Sequence, residues 1–300
     1  MNGSLLSRRV VLKDFLSPSP LRKLQALFQG KLPEPEPEST FDLQKSPIVQ
    51  PAQHFVFLNS ASSETQLDLD GYETVYSPFG KRLSHKHRLW LHGVLKFHRP
   101  LRLFQEAECH EVVHTKQVGQ KINPLSIAKE NVSKADTLPA QVLIERKIYN
   151  QQKDLCLEED RTLYYTNKDY LVDEKKIISK SPSTKSWVFT PTEVMVFRFS
   201  ALMFNAHFIH WNGPYTMSVE KYPNLIVPGP LLITAMANFF RYSYPELSTR
   251  IRQFNYRLLT PIFVGTPIRV CTNDNTLAVW LESNSTVHPT LLAKGRFSLD

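Results

Sequence analysis

Cysteine is scarce in this chain, long apolar runs are missing, and the first thirteen residues hold no acid. The three cysteines, Cys109, Cys156 and Cys271, are far apart and odd in number, and no C-x-x-C occurs. That argues against a disulfide framework and for a reducing interior, with each thiol a small buried hydrophobe rather than a nucleophile. No uninterrupted apolar stretch reaches the ~18–20 residues needed to cross a bilayer. The longest, near 194–204 and 225–240, are broken by Arg198, Ser200, Pro228 and Gly229, so no membrane span is expected. Ser200 lacks the flanking glycines of a nucleophile elbow, which argues against serine-hydrolase chemistry. His85, His87 and His92 lie close together, and His110 and His114 are four apart. No cysteine or acidic pattern completes a ligand set around either group, and no metal is expected. No RNA- or DNA-binding fingerprint is found either.

What remains is the composition of a soluble globular protein. Of its 300 residues 42% are hydrophobic and 21% charged, enough for one large or two ordinary domains. The formal net charge is +8. Its densest basic cluster, Lys81, Arg82, Lys86, Arg88, Lys96, Arg99 and Arg102, suits an acidic protein or a phosphate-bearing ligand, or is simply a solvated face.

Residues 1–12 carry Arg8, Arg9 and two serines, the composition of a short mitochondrial presequence or of an ordinary disordered start. Leu16, Leu21, Leu24 and Leu27 predict a short helix, and residues 32–38, LPEPEPE, an extended linker. Residues 1–50 are therefore assigned to a targeting segment, helix and linker. A first domain is expected over 51–170, a polar linker over 171–185 and a second domain over 186–300. Strand patterns occur in the first domain at 93–97, 108–118, 139–149 and 155–157. In the second, helical patterns at 193–204 and 229–240 precede strands at 251–258, 266–271, 276–282 and 290–298. Helices followed by an antiparallel meander form an α+β pattern.

Two stretches carry the chemistry. Phe197–Trp211, FRFSALMFNAHFIHW, sets Asn205 and His210 in an apolar run. Tyr222–Met236, YPNLIVPGPLLITAM, reads as a buried strand end, a Gly-Pro helix start and an apolar helix. Gly229 suits the N-cap and Pro230 the first helical position. Leu231, Ala235 and Phe239 form one row, and Leu232, Met236 and Phe240 another, so the helix is apolar on most sides and should be buried. A buried helix start leaves N–H groups in need of partners. A thioester oxygen gaining enolate charge is one such partner; water or side chains capping an ordinary core helix are another. His210 adds a group that titrates near neutrality.

These residues resemble the MaoC-like hydratases and dehydratases, which act on (3R)-hydroxyacyl thioesters, and in particular their fungal mitochondrial type 2 hydroxyacyl-thioester dehydratase group. Phe199, Ser200, Ala201, Leu202, Phe204, Asn205, His207, Ile209 and His210 match in order. So do Tyr222, Pro223, Leu225, Val227, Gly229, Pro230 and Leu231. Fainter matches at 66–72, 86–103, 155–165 and 257–264 extend the likeness over roughly 50–300. Departures are Met203, Phe208, Trp211, Asn212 and Pro228, where the group carries Thr, Arg, Tyr, Asp and His.

The resemblance implies a double hotdog, an antiparallel sheet wrapped around a central helix twice, with a non-catalytic first half. No repeat between the halves is visible in the sequence, and the halves could pair within one chain or across a homodimer. It implies a hydro-lyase of mitochondrial type II fatty acid synthesis, turning (3R)-hydroxyacyl groups on acyl carrier protein into trans-2-enoyl groups and also acting on coenzyme A esters. His210 would be the main acid and base, and Asn205, whose amide cannot exchange a proton as a carboxylate does, the orienting group. Gly229 and Leu231 would serve the oxyanion and the substrate. His207 and Trp211 would support the loop, and Asn212 would bear on the hydrogen bond that orients His210. No cofactor is implied, because the thioester itself acidifies the α-proton. The alternatives are a mesaconyl-type dicarboxyl-coenzyme A hydratase, weakened by Phe208 in place of a cation, and a non-catalytic module binding an acyl thioester or its carrier protein.

Overall fold

Period-two alternation builds most of this molecule. The computed structural model describes residues 7–33, 48–78, 85–117, 139–170, 177–179, 182–285 and 287–300. Strand β4, Ala140–Tyr149, shows the pattern plainly: Ala140, Val142, Ile144, Arg146 and Ile148 are buried, and the residues between them are more exposed. The other strands are β1 (Ser7–Phe15), β2 (His87–Phe97), β3 (Glu106–Gln117), β5 (Leu155–Thr166) and β6 (Lys185–Phe189). They are followed by β7 (Ile251–Leu258), β8 (Ile268–Asn273), β9 (Ala278–Ser283) and β10 (Leu291–Leu299). All ten join one sheet in the order β1-β3-β4-β5-β2-β7-β10-β9-β8-β6, and the neighbouring pairs are antiparallel.

This order contains a duplication. The first five strands run 1-3-4-5-2 and the last five run 6-8-9-10-7, the same path shifted by five. The two halves meet where β2 pairs with β7, Gly93 facing Tyr256 and Leu95 facing Phe254. Together they form a double hotdog closed within one chain. The repeat is invisible in the residues because a sheet path needs only alternation and turns, which many sequences supply.

In each half the chain leaves the first strand, forms helix, and returns to the strand at the seam. In the first half that helix is α1, Pro18–Phe28, with Leu21, Leu24, Leu27 and Phe28 buried. In the second half three helices take this place: α2 (Glu193–Leu202), the short α3 (Gly213–Ser218) and α4 (Gly229–Ser243). Helix α4 is buried on nearly every side, as its composition predicts. Leu21, Leu24 and Phe28 of α1 share one hydrophobic core with Phe55, Phe199, Leu231, Phe240 and Phe254, so the core spans both halves.

Three expectations need correction. The first concerns the N-terminus. Residues 1–6 of the expected targeting segment lie outside the described residues, but from Ser7 on the segment and helix belong to the fold: Ser7–Phe15 pairs with β3 along its whole length, and Leu16 and Phe28 are fully buried. Arg8 alternates with Arg9 along a strand, a pattern that composition alone cannot distinguish from a presequence. Within the Pro/Glu linker, residues 34–38 lie outside the described residues, as do 171–176 and 180–181 of the polar linker. The second correction is to that linker's end, since Lys185 opens β6. The third is that Pro228, not Gly229, is the N-cap of α4, which places Gly229 in the first helical position.

Candidate active site

Helix α2 begins on Thr192, whose side chain accepts the Met195 N–H at 3.2 Å. It ends with Phe204 in the left-handed conformation, φ 53°. There the N–H of Phe204 reaches the Ala201 carbonyl and that of Asn205 the Ser200 carbonyl, the paired bonds of a Schellman stop. Glycine normally occupies this place, and a phenylalanine costs roughly 1–2 kcal/mol there. The turn delivers Asn205 into a pocket. The Asn205 amide oxygen accepts the His207 N–H at 3.1 Å, which bends the chain back toward the 3-10 turn Phe208–His210.

That turn buries His210. Its Nδ1 lies 2.8 Å from the Ile226 carbonyl oxygen. A carbonyl only accepts, so Nδ1 carries the proton and Nε2 keeps its lone pair. Ile226 is fixed in turn: its N–H donates to the Ile209 carbonyl, and the Val227 N–H donates to Ile262. Burial, and then the neighbouring His207, push the His210 imidazole from its ordinary 6.5 down to about 3. Three residues beyond Ile226 the chain enters α4. Gly229, as first residue of that helix, has an N–H with no intrahelical acceptor. A β-carbon on Gly229 would sit 2.9 Å from Leu258 and 3.1 Å from Trp90, so only glycine lets the helix start approach the seam this closely.

The first half of the chain also reaches this site. In the loop 68–72, the carbonyl of Asp70 accepts the Phe208 N–H at 2.8 Å. The Asp70 carboxylate lies 3.2 Å from His207 Nε2 and 3.1 Å from an Arg88 nitrogen. The His207 and Arg88 charges hold this buried carboxyl well below the usual range despite its burial. Arg88 lies over the Tyr72 ring at 4.0 Å and donates to the Tyr165 hydroxyl at 3.0 Å. Behind His207, Glu220 Oε1 is 3.9 Å away, and Glu220 Oε2 meets His87 Nδ1 at 3.2 Å.

The resulting cavity, of about 160 Å³, straddles the seam. Asn205, His207, His210 and Gly229 line it from the second half, and Tyr72, Arg88 and Trp90 from the first. Glu111, Arg146 and Arg161 line it too. They belong to a buried network in which Glu159 accepts from Arg146 at 3.0 Å and twice from Arg161, at 2.8 and 2.7 Å, and Arg146 also meets Glu111 at 2.7 Å. The chemistry available is a neutral buried base, an amide, an unsatisfied helix N–H and a histidine beside two carboxylates.

The structure thus brings Asn205, His207, His210 and Gly229 together and leaves other expected residues aside. Leu231 faces the core, 1% exposed, with its N–H on the Pro228 carbonyl, and it is Leu232 that lines the pocket. Helical rotation explains this: one residue along α4 turns the side chain by about 100°. Trp211 is 44% exposed and braces the loop from outside, its indole N–H on the Ala206 carbonyl. Asn212 does not orient His210; it caps α3 by accepting the Tyr215 N–H. Asp70, Arg88 and Glu220 were missed. The D-x-D-G turn around Asp70 was legible as a turn, but nothing local says which distant loop it meets.

Two fused hotdog halves with one pocket at their seam define a protein of the double-hotdog, MaoC-like class. The family model for hydroxyacyl-thioester dehydratase type 2 matches residues 52–264. The mitochondrial hydroxyacyl-thioester dehydratase type 2 of Schizosaccharomyces pombe is 47% identical, covering 97% of this chain and 99% of that one. Mesaconyl-C(4)-CoA hydratase of Chloroflexus aurantiacus is 28% identical over 83% of this chain and 82% of its own length. Among solved structures, a MaoC-like dehydratase from Phytophthora capsici superposes with a TM-score of 0.61 at 11% identity, over 99% and 97% of the two chains. A Mycobacterium tuberculosis protein described as a double hotdog does so with a TM-score of 0.57 at 11% identity, over 99% and 96%. The chain belongs to the hydroxyacyl-thioester dehydratase type 2 family. It is an enzyme of the hydro-lyase class, and its compartment is the mitochondrion.

Proposed function

We propose that this chain removes water from (3R)-hydroxyacyl thioesters to give trans-2-enoyl thioesters, with His210 as base. The observation that carries this is the pairing of His210 Nδ1 with the Ile226 carbonyl, which fixes a neutral tautomer with Nε2 as acceptor. A base must be unprotonated to take the α-proton, and a buried imidazole pushed down to about 3 is unprotonated throughout the physiological range. The thioester oxygen gains charge as the proton leaves, and the Gly229 N–H at the positive end of α4 is placed to receive it. Asn205 orients the β-hydroxyl. Its own amide oxygen is engaged by the His207 N–H, so the NH₂ group is the end available to the substrate oxygen.

The substrate is carried on acyl carrier protein in fatty acid synthesis, with coenzyme A esters as accepted substitutes; the net charge of +8 suits either acidic carrier. The pocket is assembled from both halves of one chain. The test is hydration of a short trans-2-enoyl coenzyme A, followed by loss of enoyl absorbance. Loss of a proton-transfer group costs roughly 10²–10⁴-fold, so His210→Ala should fall by that factor and Asn205→Ala by less. Unchanged turnover in His210→Ala would remove it from the mechanism. No turnover by the wild-type protein on either carrier would leave a thioester-binding module instead.

A further inference from the structure

We propose that His207, held by Asp70 from the other half of the chain, is the general acid of this reaction and supplies the proton that Asn205 cannot. The inference rests on the hydro-lyase reading above. An amide in place of an ionisable group leaves the departing hydroxide without a proton donor, unless His210 both takes the α-proton and gives it back across the substrate. The structure supplies a second imidazole in the same pocket. The His207 ring lies 5.5 Å from that of His210 and almost perpendicular to it, at 87°. Both rings are buried, 3% and 7% exposed.

Their surroundings differ in charge. His207 Nε2 faces two buried carboxylates, Asp70 Oδ2 at 3.2 Å and Glu220 Oε1 at 3.9 Å. These are electrostatic contacts rather than aligned hydrogen bonds. Arg88 shares Asp70 at 3.1 Å and His87 shares Glu220 at 3.2 Å, and the Tyr72 ring packs on the imidazole at 5.4 Å. Both contacts put a carboxylate acceptor at the Nε2 edge of the ring, one from each half of the chain. Burial, and then the neighbouring His207, favour the neutral form of His210, against the weaker pull of the Ile226 carbonyl that accepts from its ring. Two imidazoles in one pocket, one on a backbone carbonyl and one beside two carboxylates, can divide the work of base and acid.

The step balances. His210 Nε2 takes the α-proton, and the C–H electron pair becomes the C2–C3 double bond as the C3–O bond breaks. Nε2 of His207 is turned to the carboxylates, so the proton on Nδ1 goes to the departing hydroxyl, which leaves as water. His210 ends protonated and His207 neutral. The released water returns the proton between the two rings, with no net exchange with solvent. Asp70, outside the reacting atoms, is a positioning residue that holds the His207 ring from across the seam.

The test varies the leaving group. A 3-chloroacyl coenzyme A loses chloride without protonation, so it needs the base and not the acid. His207→Ala should lower dehydration of the 3-hydroxyacyl ester by roughly 10²–10⁴-fold and change elimination from the chloro ester by less than about tenfold. His210→Ala should lose both. His207→Gln repeats the comparison should the alanine variant fail to fold. Asp70→Asn, which loosens the hold on the acid alone, should lower turnover of the hydroxy ester and spare the chloro ester. Equal losses on both esters would make His207 structural, and no loss on the hydroxy ester would leave His210 acting alone; either overturns the proposal. A wild-type protein inactive on both esters would instead sink the hydro-lyase reading.

Discussion

Gly71 ties the first half of the chain to the loop proposed to be catalytic, and replacing it with alanine tests that connection. Its φ is +79°, a conformation that costs an L side chain roughly 1–2 kcal/mol. A β-carbon there would also lie 2.4 Å from the Ala206 carbonyl oxygen and 2.8 Å from the Phe208 ring. The first of these is backbone, so either the 68–72 turn or the catalytic loop must move by several tenths of an ångström. Overpacking of this kind costs about 1–3 kcal/mol, giving about 2–5 kcal/mol in all. Ala206 sits between Asn205 and His207, so the displacement falls on the side chains proposed to act on the substrate, where misplacement by about 1 Å can cost 10²-fold in rate. Gly30→Ala is the control: φ is +70° there, but nothing lies within 4 Å of the new carbon. Urea unfolding and enoyl hydration should separate the two variants. Gly30→Ala loses roughly 1–2 kcal/mol and keeps its kcat, whereas Gly71→Ala loses more stability and most of its kcat. If Gly71→Ala behaves like Gly30→Ala in both assays, the claimed contact does not govern the loop.

Two further outcomes follow from buried charge. His210 has a depressed pKa in the fold, so between its ordinary 6.5 and about 3 the unfolded chain binds a proton that the folded one refuses. Its contribution is present above pH 6.5 and is lost as pH falls toward 3, at up to ~1.4 kcal/mol per pH unit. The depressed carboxyl of Asp70 has the usual acid sign, holding above its ordinary 3.8 and lost as pH falls below it. Urea midpoints measured against pH should therefore fall below 6.5, and His210→Gln should flatten that slope; an unchanged slope would exclude His210 as its source. Glu159→Gln leaves Arg146 and Arg161 buried without their shared carboxylate, which should cost about 3–5 kcal/mol in chemical denaturation. A loss under 1 kcal/mol would mean that the Glu111 contact and backbone acceptors suffice.

Much of this protein was legible in its residues because the signals were local. The strand Ala140–Tyr149 announces itself by alternation, and α4 by its two apolar rows after Gly-Pro. The turn at Asp274 and Asn275 links β8 and β9 as its residue types predict. Composition misled at residues 7–12, where an arginine-containing, acid-free segment serves as an edge strand rather than standing apart from the fold. Helical phase misled at Leu231, since motif position alone does not say which way a side chain turns.

The sequence by itself determined most of the regular elements, the family likeness and the nearness of Asn205, His210 and Gly229, which lie within twenty-five positions of one another. Tertiary structure decided everything that depends on segments far apart in the chain. The 1-3-4-5-2 path repeats as 6-8-9-10-7 because strands pair by backbone hydrogen bonds, which leave little trace in side-chain identity. Asp70 meets His207 across 137 positions, and Ile226 fixes the tautomer of His210 through a carbonyl that every residue type carries. Contacts made by backbone, or by one buried charge finding another across the seam, become visible only once the chain has closed around them.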